Sequence, residues 1–326
     1  MRRLTYLVLA LATLYGGYWF IARATFLAQV ENGLSRMQDD GWAIAYDDLS
    51  IIGFPSRFDV TADRLSAASP DRSFQWDAPF FQALMLSYRP NEVIAVWPES
   101  QSFTLRGAAF DLAARGLRAS LSVNLDSSAS LSAATLESAP LLLSGANDWS
   151  LGAESILLAL RETPNAAVDA TYDLYLSVEG LTLPDTLRQQ IDPTGQLPSS
   201  FGKSTVDATF KNAAPIALNG ATGAVQEITL NSAQIVWGGF RLSGSGALTI
   251  TANGIPEGRI YLVIQDWERL IAIAKALGWI DAGVVPTWRN MAEMLAGGND
   301  TLTLPLAFQN GFMSIGPIPL GPAPRF

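Results

Sequence analysis

The sequence predicts a mostly β protein of elongated antiparallel sheets, with an N-terminal transmembrane helix and two short helices near the C-terminus. Three observations support this fold class. The chain opens with an uncharged apolar run, apolar and polar residues alternate through much of the remainder, and turn-forming residues separate the alternating segments. Hydrophobic residues make up 49% of the 326 residues and charged residues only 16%, so the chain can bury a substantial core.

The N-terminal segment has the length and composition of a membrane anchor. Residues 4–21 form an 18-residue run without a charge, and a helix of that length spans about 27 Å, close to the hydrocarbon thickness of a bilayer. Aromatic rings, which favour the membrane interface, cluster at its far end: Tyr15, Tyr18, Trp19 and Phe20. The residues that we expect to form the anchor are Leu4, Leu7, Leu11, Leu14, Trp19 and Ile21.

The charges that flank this run predict its orientation. Arg2 and Arg3 favour an N-terminus in the cytoplasm, which predicts a single-pass protein of the inner membrane of a Gram-negative bacterium with its bulk in the periplasm. A cleaved signal peptide is the alternative, because Ala22-Arg23-Ala24 resembles a cleavage site. Residues 1–24 are therefore assigned to the anchor or signal, and residues 25–326 to a β-rich periplasmic domain. A division of that domain into two lobes near residues 139–150 stays open.

Segments with a period of two predict the strands. Apolar residues alternate with polar ones over residues 117–125, 172–178, 206–210, 228–230 and 260–264, which is typical of strands with one apolar and one polar face. Residues 25–40 are predicted to continue the N-terminal helix. Turn signals between the strands are Asn219-Gly220, Gly238-Gly239, Asn253-Gly254 and Glu257-Gly258.

Two helices are predicted near the C-terminus. Asp266 is a suitable N-cap for a helix whose apolar residues recur at helical spacing, and Gly278 is a suitable residue to end it. Pro286 is expected to open a second helix that stops at Gly297-Gly298. The chain is then expected to return to strand from Leu302.

The apolar faces of the strands exceed what two short helices can cover. The sheet must therefore pack on another sheet, close on itself or hold something apolar. A sandwich with a filled core and a curved open sheet with a groove for acyl chains both remain open at this stage.

The composition also excludes several classes of chemistry. The chain has no cysteine and no histidine, so it has no thiolate metal ligand and no Ser-His-Asp arrangement. Its net charge of −9 argues against nucleic acid as a partner, because affinity for nucleic acid comes mainly from neutralised phosphates. We expect a protein that is not an enzyme, with no catalytic or metal-binding residues and no cofactor.

Three groups of residues were considered as sites, and each has a simpler interpretation. The carboxylates Asp39, Asp40, Asp47, Asp48, Asp59 and Asp63 lack the spacing of a calcium loop and are expected to be solvated. Gly244-Ser245-Gly246 leads into a strand, so it is expected to be a strand or bulge motif rather than a phosphate-binding loop. Trp76, Trp97 and Trp237 are candidates for a ligand pocket, but core positions are the more common role for such residues.

Several short motifs are spread in order over the whole chain: Gly53-Phe54-Pro55-Ser56-Arg57-Phe58, Trp76-Asp77-Ala78-Pro79, Tyr88-Arg89-Pro90-Asn91, Val96-Trp97-Pro98, Asn310-Gly311 and Gly316-Pro317-Ile318-Pro319-Leu320-Gly321. Together they resemble the bacterial family known as domain of unknown function 2125. Residues 228–267 are also similar, more weakly, to repeats of AsmA-like envelope proteins. That second resemblance implies anchoring in the inner membrane and sheets with grooves for lipid. Neither resemblance implies a catalytic residue.

Two functions follow from these expectations. The first is binding or handling of an apolar envelope ligand, above all the acyl chains of a lipid, along a sheet face. The second is a non-enzymatic structural or assembly scaffold that holds envelope proteins on the same face. The expected partners are thus the inner membrane, lipid acyl chains and envelope proteins.

Overall fold

The computed structural model describes residues 2–168, 170–193, 195–218, 223–315 and 318–326. The chain forms two compact units. Unit 1 contains Met1–Ser122 and Leu142–Asp148, and unit 2 contains Val123–Leu141 and Trp149–Phe326. The mostly β fold, with a long apolar N-terminal helix and short helices near the C-terminus, is confirmed.

The first half of the chain begins with one long helix and continues as strands. The elements are α1 (Arg2–Asp39), β1 (Ala43–Ala45), β2 (Asp48–Ile52), β3 (Arg57–Ala68), β4 (Phe74–Leu86), β5 (Arg89–Val96), β6 (Ser100–Leu105), β7 (Ala108–Ala114), β8 (Arg118–Val123), β9 (Leu131–Ser138) and β10 (Leu141–Gly145).

The second half alternates strands with three short helices. The elements are β11 (Ser150–Ala153), β12 (Ser155–Glu162), β13 (Thr171–Glu179), α2 (Asp185–Ile191), β14 (Ser204–Asn212), β15 (Val225–Trp237), β16 (Phe240–Ile250), β17 (Pro256–Gln265), α3 (Trp267–Ala276), a 3₁₀ turn (Ala282–Val284), α4 (Val285–Ala296), β18 (Thr301–Gln309), β19 (Phe312–Ile315) and β20 (Ile318–Pro322).

The sheet of unit 1 forks at β4. One edge of β4 pairs with β3, whereas its other edge pairs with β6 between Phe74 and Asp77 and with β5 between Gln82 and Leu86. Pro79 lies between the stretches of β4 that pair with β6 and with β5. Proline has no backbone N–H, and on this edge no neighbouring strand needs one at that position. One branch continues from β5 to β8 and the other from β6 through β7 to β10.

Helix α1 packs on unit 1 through its middle. Trp19 is only 3% exposed and joins Ile51, Phe58 and Val60 in one buried cluster. Its indole N–H donates to the backbone oxygen of Arg57 at 2.9 Å, and its ring stacks on Phe58 at 5.7 Å between centroids. Trp19, which the sequence assigns to the anchor, therefore faces protein on this side of α1.

Unit 2 is built on an antiparallel meander. The strands pair in the order β9, β12, β13, β14, β15, β16, β17, β18, β19 and β20, and each step after β12 joins strands that are neighbours in sequence. Helix α2 is inserted between β13 and β14, and α3 and α4 are inserted between β17 and β18. Trp237 and Trp267 lie in the core that these helices form with the strands beneath them.

Most local predictions are confirmed, and two differ. Helix α1 continues to Asp39, the turns at Gly238-Gly239 and Asn253-Gly254 separate strands, and α3 and α4 have the expected caps. The predicted turn at Glu257-Gly258 is wrong, because both residues lie within β17 and a Cβ on Gly258 would be 2.3 Å from the oxygen of Ala247. Helix α2 has only seven residues and was not predicted. Asn219-Gly220 lies outside the described residues.

The N-cap of α3 offers a direct test of the fold. Asp266 has a left-handed backbone (φ 58°), and its carboxylate accepts a hydrogen bond from the amide of Arg269. We expect Asp266→Ala to destabilise α3 by about 1 kcal/mol because the cap is lost, so that α3 amides exchange about fivefold faster. Hydrogen exchange by mass spectrometry measures this rate. Asp266→Asn is the control, since asparagine keeps the cap and tolerates the left-handed backbone; equal exchange in both variants would contradict the assignment.

Candidate functional site

Two adjacent rows of residues make one face of the unit 2 sheet continuously apolar. Each row runs across the strands, because residues paired in register share a face. The first row is Ala134, Leu160, Leu174, Ala208, Leu230, Gly246, Ile260, Leu306, Ile315 and Ile318, and the second is Leu136, Leu158, Leu176, Val206, Ala233, Gly244, Leu262 and Leu304. We call these two rows the apolar strip. It crosses ten strands, a distance of about 43 Å at the usual strand spacing.

A bulge in β15 keeps the strip in register. Leu230 pairs with Gly246 and Ala233 pairs with Gly244, so β15 carries one residue more than its neighbour between these two points. Since successive side chains alternate between faces, strands without a bulge would send Leu230 and Ala233 to opposite faces. The bulge therefore places both residues in the strip.

The opposite face of the same strands is polar. Its matching row includes Arg161, Asp173, Thr209, Thr229 and Arg259. Arg161 and Asp173 form an ion pair at 3.4 Å, and Thr209 donates a hydrogen bond to Asp173 at 3.2 Å. These charged groups are thus separated from the strip by the sheet itself.

The ends of the strands are covered, whereas the strip between them is covered only in part. At one end, Trp237, Ile264 and Leu302 are buried beneath the helices of unit 2. At the other end, Leu248 and Phe308 are buried beside Ala323 of the C-terminal tail. Within the strip itself Ala208 and Ile260 are buried, Leu158 is 37% exposed, and the remaining positions are half-buried. This face is therefore neither a closed sandwich interface nor an ordinary solvated surface.

An apolar cavity of about 190 Å³ adjoins one end of the strip. Leu262, Leu304 and Ile315 of the strip line it together with residues of α3 and α4: Trp267, Leu270, Ile271, Ala274, Trp288, Met291, Ala292 and Leu295. Every residue that lines the cavity is apolar, so it favours hydrocarbon over water. A cavity of this size is smaller than a typical site for a whole ligand and fits the end of a chain.

Two hollows in unit 1 have linings that mix polar and apolar residues. One, of about 510 Å³, mixes Leu84, Leu86 and Ile94 with Arg57 and Glu92. The other, of about 410 Å³, is lined largely by polar residues such as Asp77, Gln101 and Asp111. Neither offers the unbroken apolar lining of the cavity in unit 2.

The aspartates near the first strands lie in ion pairs or in strand register and do not form a metal site. Asp59 pairs with Arg57 at 2.8 Å, and Asp47 pairs with Arg64. Asp48 lies opposite Asp63 in the register of β2 and β3. In the part of the chain that the structure describes, no three acidic residues lie close enough to hold a metal ion.

Two exposed turn carboxylates have lowered pKa values because serines donate hydrogen bonds to them. Ser130 and Ser128 lower the pKa of Asp126 to about 2, and Ser69 and Ser73 lower that of Asp71 to about 2. The hydrogen bonds close turns at residues 126–130 and 69–73. These aspartates therefore have a structural role in turns.

The glycine motif of β16 and two of the tryptophans considered as pocket residues have structural roles. Gly244-Ser245-Gly246 lies within β16, as predicted. Trp237 is buried and donates its indole N–H to Pro198 at 2.8 Å, and Trp76 donates its own to Gln101 at 2.7 Å. The cavity was missed at the level of sequence. Its only signal is that Trp288 and Met291 share one helix face with Leu295.

Unit 2 also contains a fully buried tyrosine. Tyr172 is 0% exposed, stacks on Phe210 at 5.7 Å and accepts a hydrogen bond from the amide of Ile216 at 2.9 Å. Burial raises the pKa of the Tyr172 phenol. This hydrogen bond holds the loop at residues 213–218 over one end of β13 and β14.

Removal of this hydroxyl gives a second test. We expect Tyr172→Phe to lower the free energy of unfolding by about 1–3 kcal/mol, because the amide of Ile216 loses its buried acceptor. Denaturant unfolding of the purified protein measures the change. Tyr261→Phe, at an exposed position in β17, is the matched control and is expected to leave stability unchanged. An unchanged midpoint for Tyr172→Phe would show that the loop does not depend on this bond.

Comparison with known proteins identifies the family but no characterised relative. Residues 19–324 match the model of the family DUF2125, described as an uncharacterized protein conserved in bacteria. No curated protein and no solved structure matches the chain. The resemblance to AsmA-like proteins stays a prediction. Because the match covers nearly the whole sequence, this chain belongs to the DUF2125 family.

Proposed function

We propose that this protein is anchored in the inner membrane by α1 and binds lipid acyl chains on the apolar strip of unit 2, in the periplasm. The observation that carries the proposal is the strip itself. One row crosses ten strands and the adjacent row crosses eight, without a single polar side chain, and most of their positions are only half-buried by the protein. Soluble proteins rarely expose continuous apolar surface of this extent unless something binds there.

The anchor is supported by α1. This helix is long and apolar enough to span a membrane. Leu4, Leu7, Leu11, Leu14 and Ile21 are all exposed on it, as residues that face lipid would be. Arg2 and Arg3 precede the apolar run and favour a cytoplasmic N-terminus, which would place both units in the periplasm.

The chemistry of the strip supports recognition of hydrocarbon rather than of a headgroup. Each methylene that moves from water onto the strip contributes at most about 0.8 kcal/mol, so affinity is expected to grow with chain length. The rows contain no side chain that could pair with a phosphate or a sugar. We therefore expect binding that depends on the acyl chain and tolerates different headgroups.

A bulky side chain within the strip is expected to block binding. A Cβ on Gly244 would lie 3.3 Å from Cδ2 of Leu262, so Gly244→Leu would fill the middle of the strip. We expect at least about tenfold weaker binding of a fluorescent fatty acid, equivalent to about 1.4 kcal/mol. Ser245→Leu is the matched control, because it adds the same side chain to the exposed opposite face of β16.

Native mass spectrometry of the purified full-length protein provides a second readout. Copurified lipid that is lost in Gly244→Leu but kept in Ser245→Leu would support the proposal. A different result would favour a scaffold that holds protein segments on this face. In that case the wild-type protein carries no lipid, and an envelope protein is crosslinked at positions 244 and 262. Equal fatty-acid binding in both variants would exclude the strip as the site.

Filling the cavity tests whether it receives the end of the chain. Ala274 lines the cavity from α3, whereas Ala272 of the same helix faces solvent. We expect Ala274→Phe to weaken binding of long fatty acids more than that of short ones, because only the long chain reaches the cavity. Ala272→Phe is expected to have no effect. Titration with fatty acids of increasing length measures the difference, and a uniform loss across lengths would place the chain end elsewhere.

A further inference from the structure

Two turns of unit 1 contact α1 inside its apolar run. The ring of Phe54 lies 3.6 Å from the position that a Cβ on Gly16 would take, and it stacks on Phe20 at 5.6 Å between centroids. The phenolic oxygen of Tyr15 is 2.9 Å from the hydroxyl of Ser87, so the two groups are hydrogen-bonded. The hydroxyl of Tyr18 donates to the backbone oxygen of Ser87 at 3.4 Å.

These contacts fix the depth of the turns relative to the helix. Gly16 precedes Ile21, the last residue of the apolar run, by five residues, which is about 8 Å along a helix. The run spans about 27 Å, which is close to the thickness of the hydrocarbon core, so the whole run is needed to cross it. If α1 spans the membrane, the Phe54 and Ser87 turns therefore lie at the boundary between headgroups and acyl chains, about 5–10 Å below the surface.

The side chains at these turns suit that depth. Ile52 is 62% exposed, Phe54 is 55% exposed and Tyr88 is 63% exposed, although all three are large and mainly apolar. Tyrosine and phenylalanine at such positions are typical of residues that enter the membrane interface. Arg23, two residues beyond the apolar run, donates to the backbone oxygen of Ile51 at 2.7 Å and so holds a cation at the expected headgroup level.

We propose that the turns at residues 52–56 and 87–89 insert into the periplasmic leaflet, so that unit 1 rests on the same bilayer that α1 spans. The partner is thus a lipid surface, held by Ile52, Phe54 and Tyr88 in addition to the anchor. This inference rests on the proposed anchoring by α1. It goes beyond it, because anchoring by α1 does not by itself require any residue of the β strands to enter the lipid.

The absence of cysteine makes the depth of single positions measurable. Ile52→Cys and Tyr88→Cys place a nitroxide label on the turns without touching the Trp19 cluster. Leu11→Cys reports the middle of the anchor. Arg72→Cys, in the turn after β3, is the aqueous control, because the 12 residues of β3 place it about 40 Å from Arg57. The full-length variants are reconstituted in vesicles of phosphatidylethanolamine and phosphatidylglycerol.

Collision of the label with oxygen and with a water-soluble nickel chelate gives the depth. We expect positions 52 and 88 to lose access to nickel several-fold relative to position 72, and position 11 to be shielded most. If nickel reaches labels at positions 52 and 88 as readily as at position 72, while position 11 stays shielded, the proposed insertion is wrong but the anchor is retained. Nickel access at position 11 equal to that at 72 would overturn the anchor itself and the insertion with it.

Discussion

The unit 2 sheet has an apolar face larger than its own helices and loops can cover, and most of this unit's organisation follows from that constraint. The antiparallel register keeps apolar residues on one face through ten strands. In β15 the bulge between Leu230 and Ala233 keeps both side chains on that face, although they are an odd number of residues apart. The inserted helices bury the strand ends around Trp237 and Trp267 and approach the strip at Leu262 and Leu304. The rest of the strip stays half-buried, and it is this surface on which the proposed binding of acyl chains rests.

A different interaction organises unit 1. The burial of Trp19 against Phe58, with its indole N–H paired to the backbone of Arg57, ties a helix that is otherwise exposed to a folded sheet. Trp19 and Phe26 are seven residues apart, so they lie on one face of α1, which faces the strands. The apolar residues before Trp19 have no comparable covering. One helix thus has two different surfaces, one packed on protein along its middle and one apolar and exposed along its first half.

The sequence predicts the parts of this structure that depend on neighbouring residues. Alternation predicts the strands, and Asp266, Gly278 and Pro286 predict the ends of α3 and α4, because caps act within one helical turn. It does not predict which distant strands meet, such as β5 with β8, or where β4 changes partner. The burial of Trp19 and the strand position of Glu257-Gly258 were not predicted for the same reason, since burial by a distant strand and close approach of a neighbouring one leave no local pattern.

The two glycines at the centre of the strip, Gly244 and Gly246, meet different physical constraints. A Cβ on Gly246 would lie 2.2 Å from the backbone oxygen of Arg259, so the sheet itself requires glycine at that position. The atoms nearest to a Cβ on Gly244 would belong to the side chains of Leu262, Ile260 and Leu230, at 3.3 Å or more. Such a Cβ would press on a leucine side chain rather than on backbone, so packing constrains Gly244 less tightly than Gly246, and glycine weakens a strand. Its presence there keeps the strip open at its midpoint, which an acyl chain crossing the sheet would need.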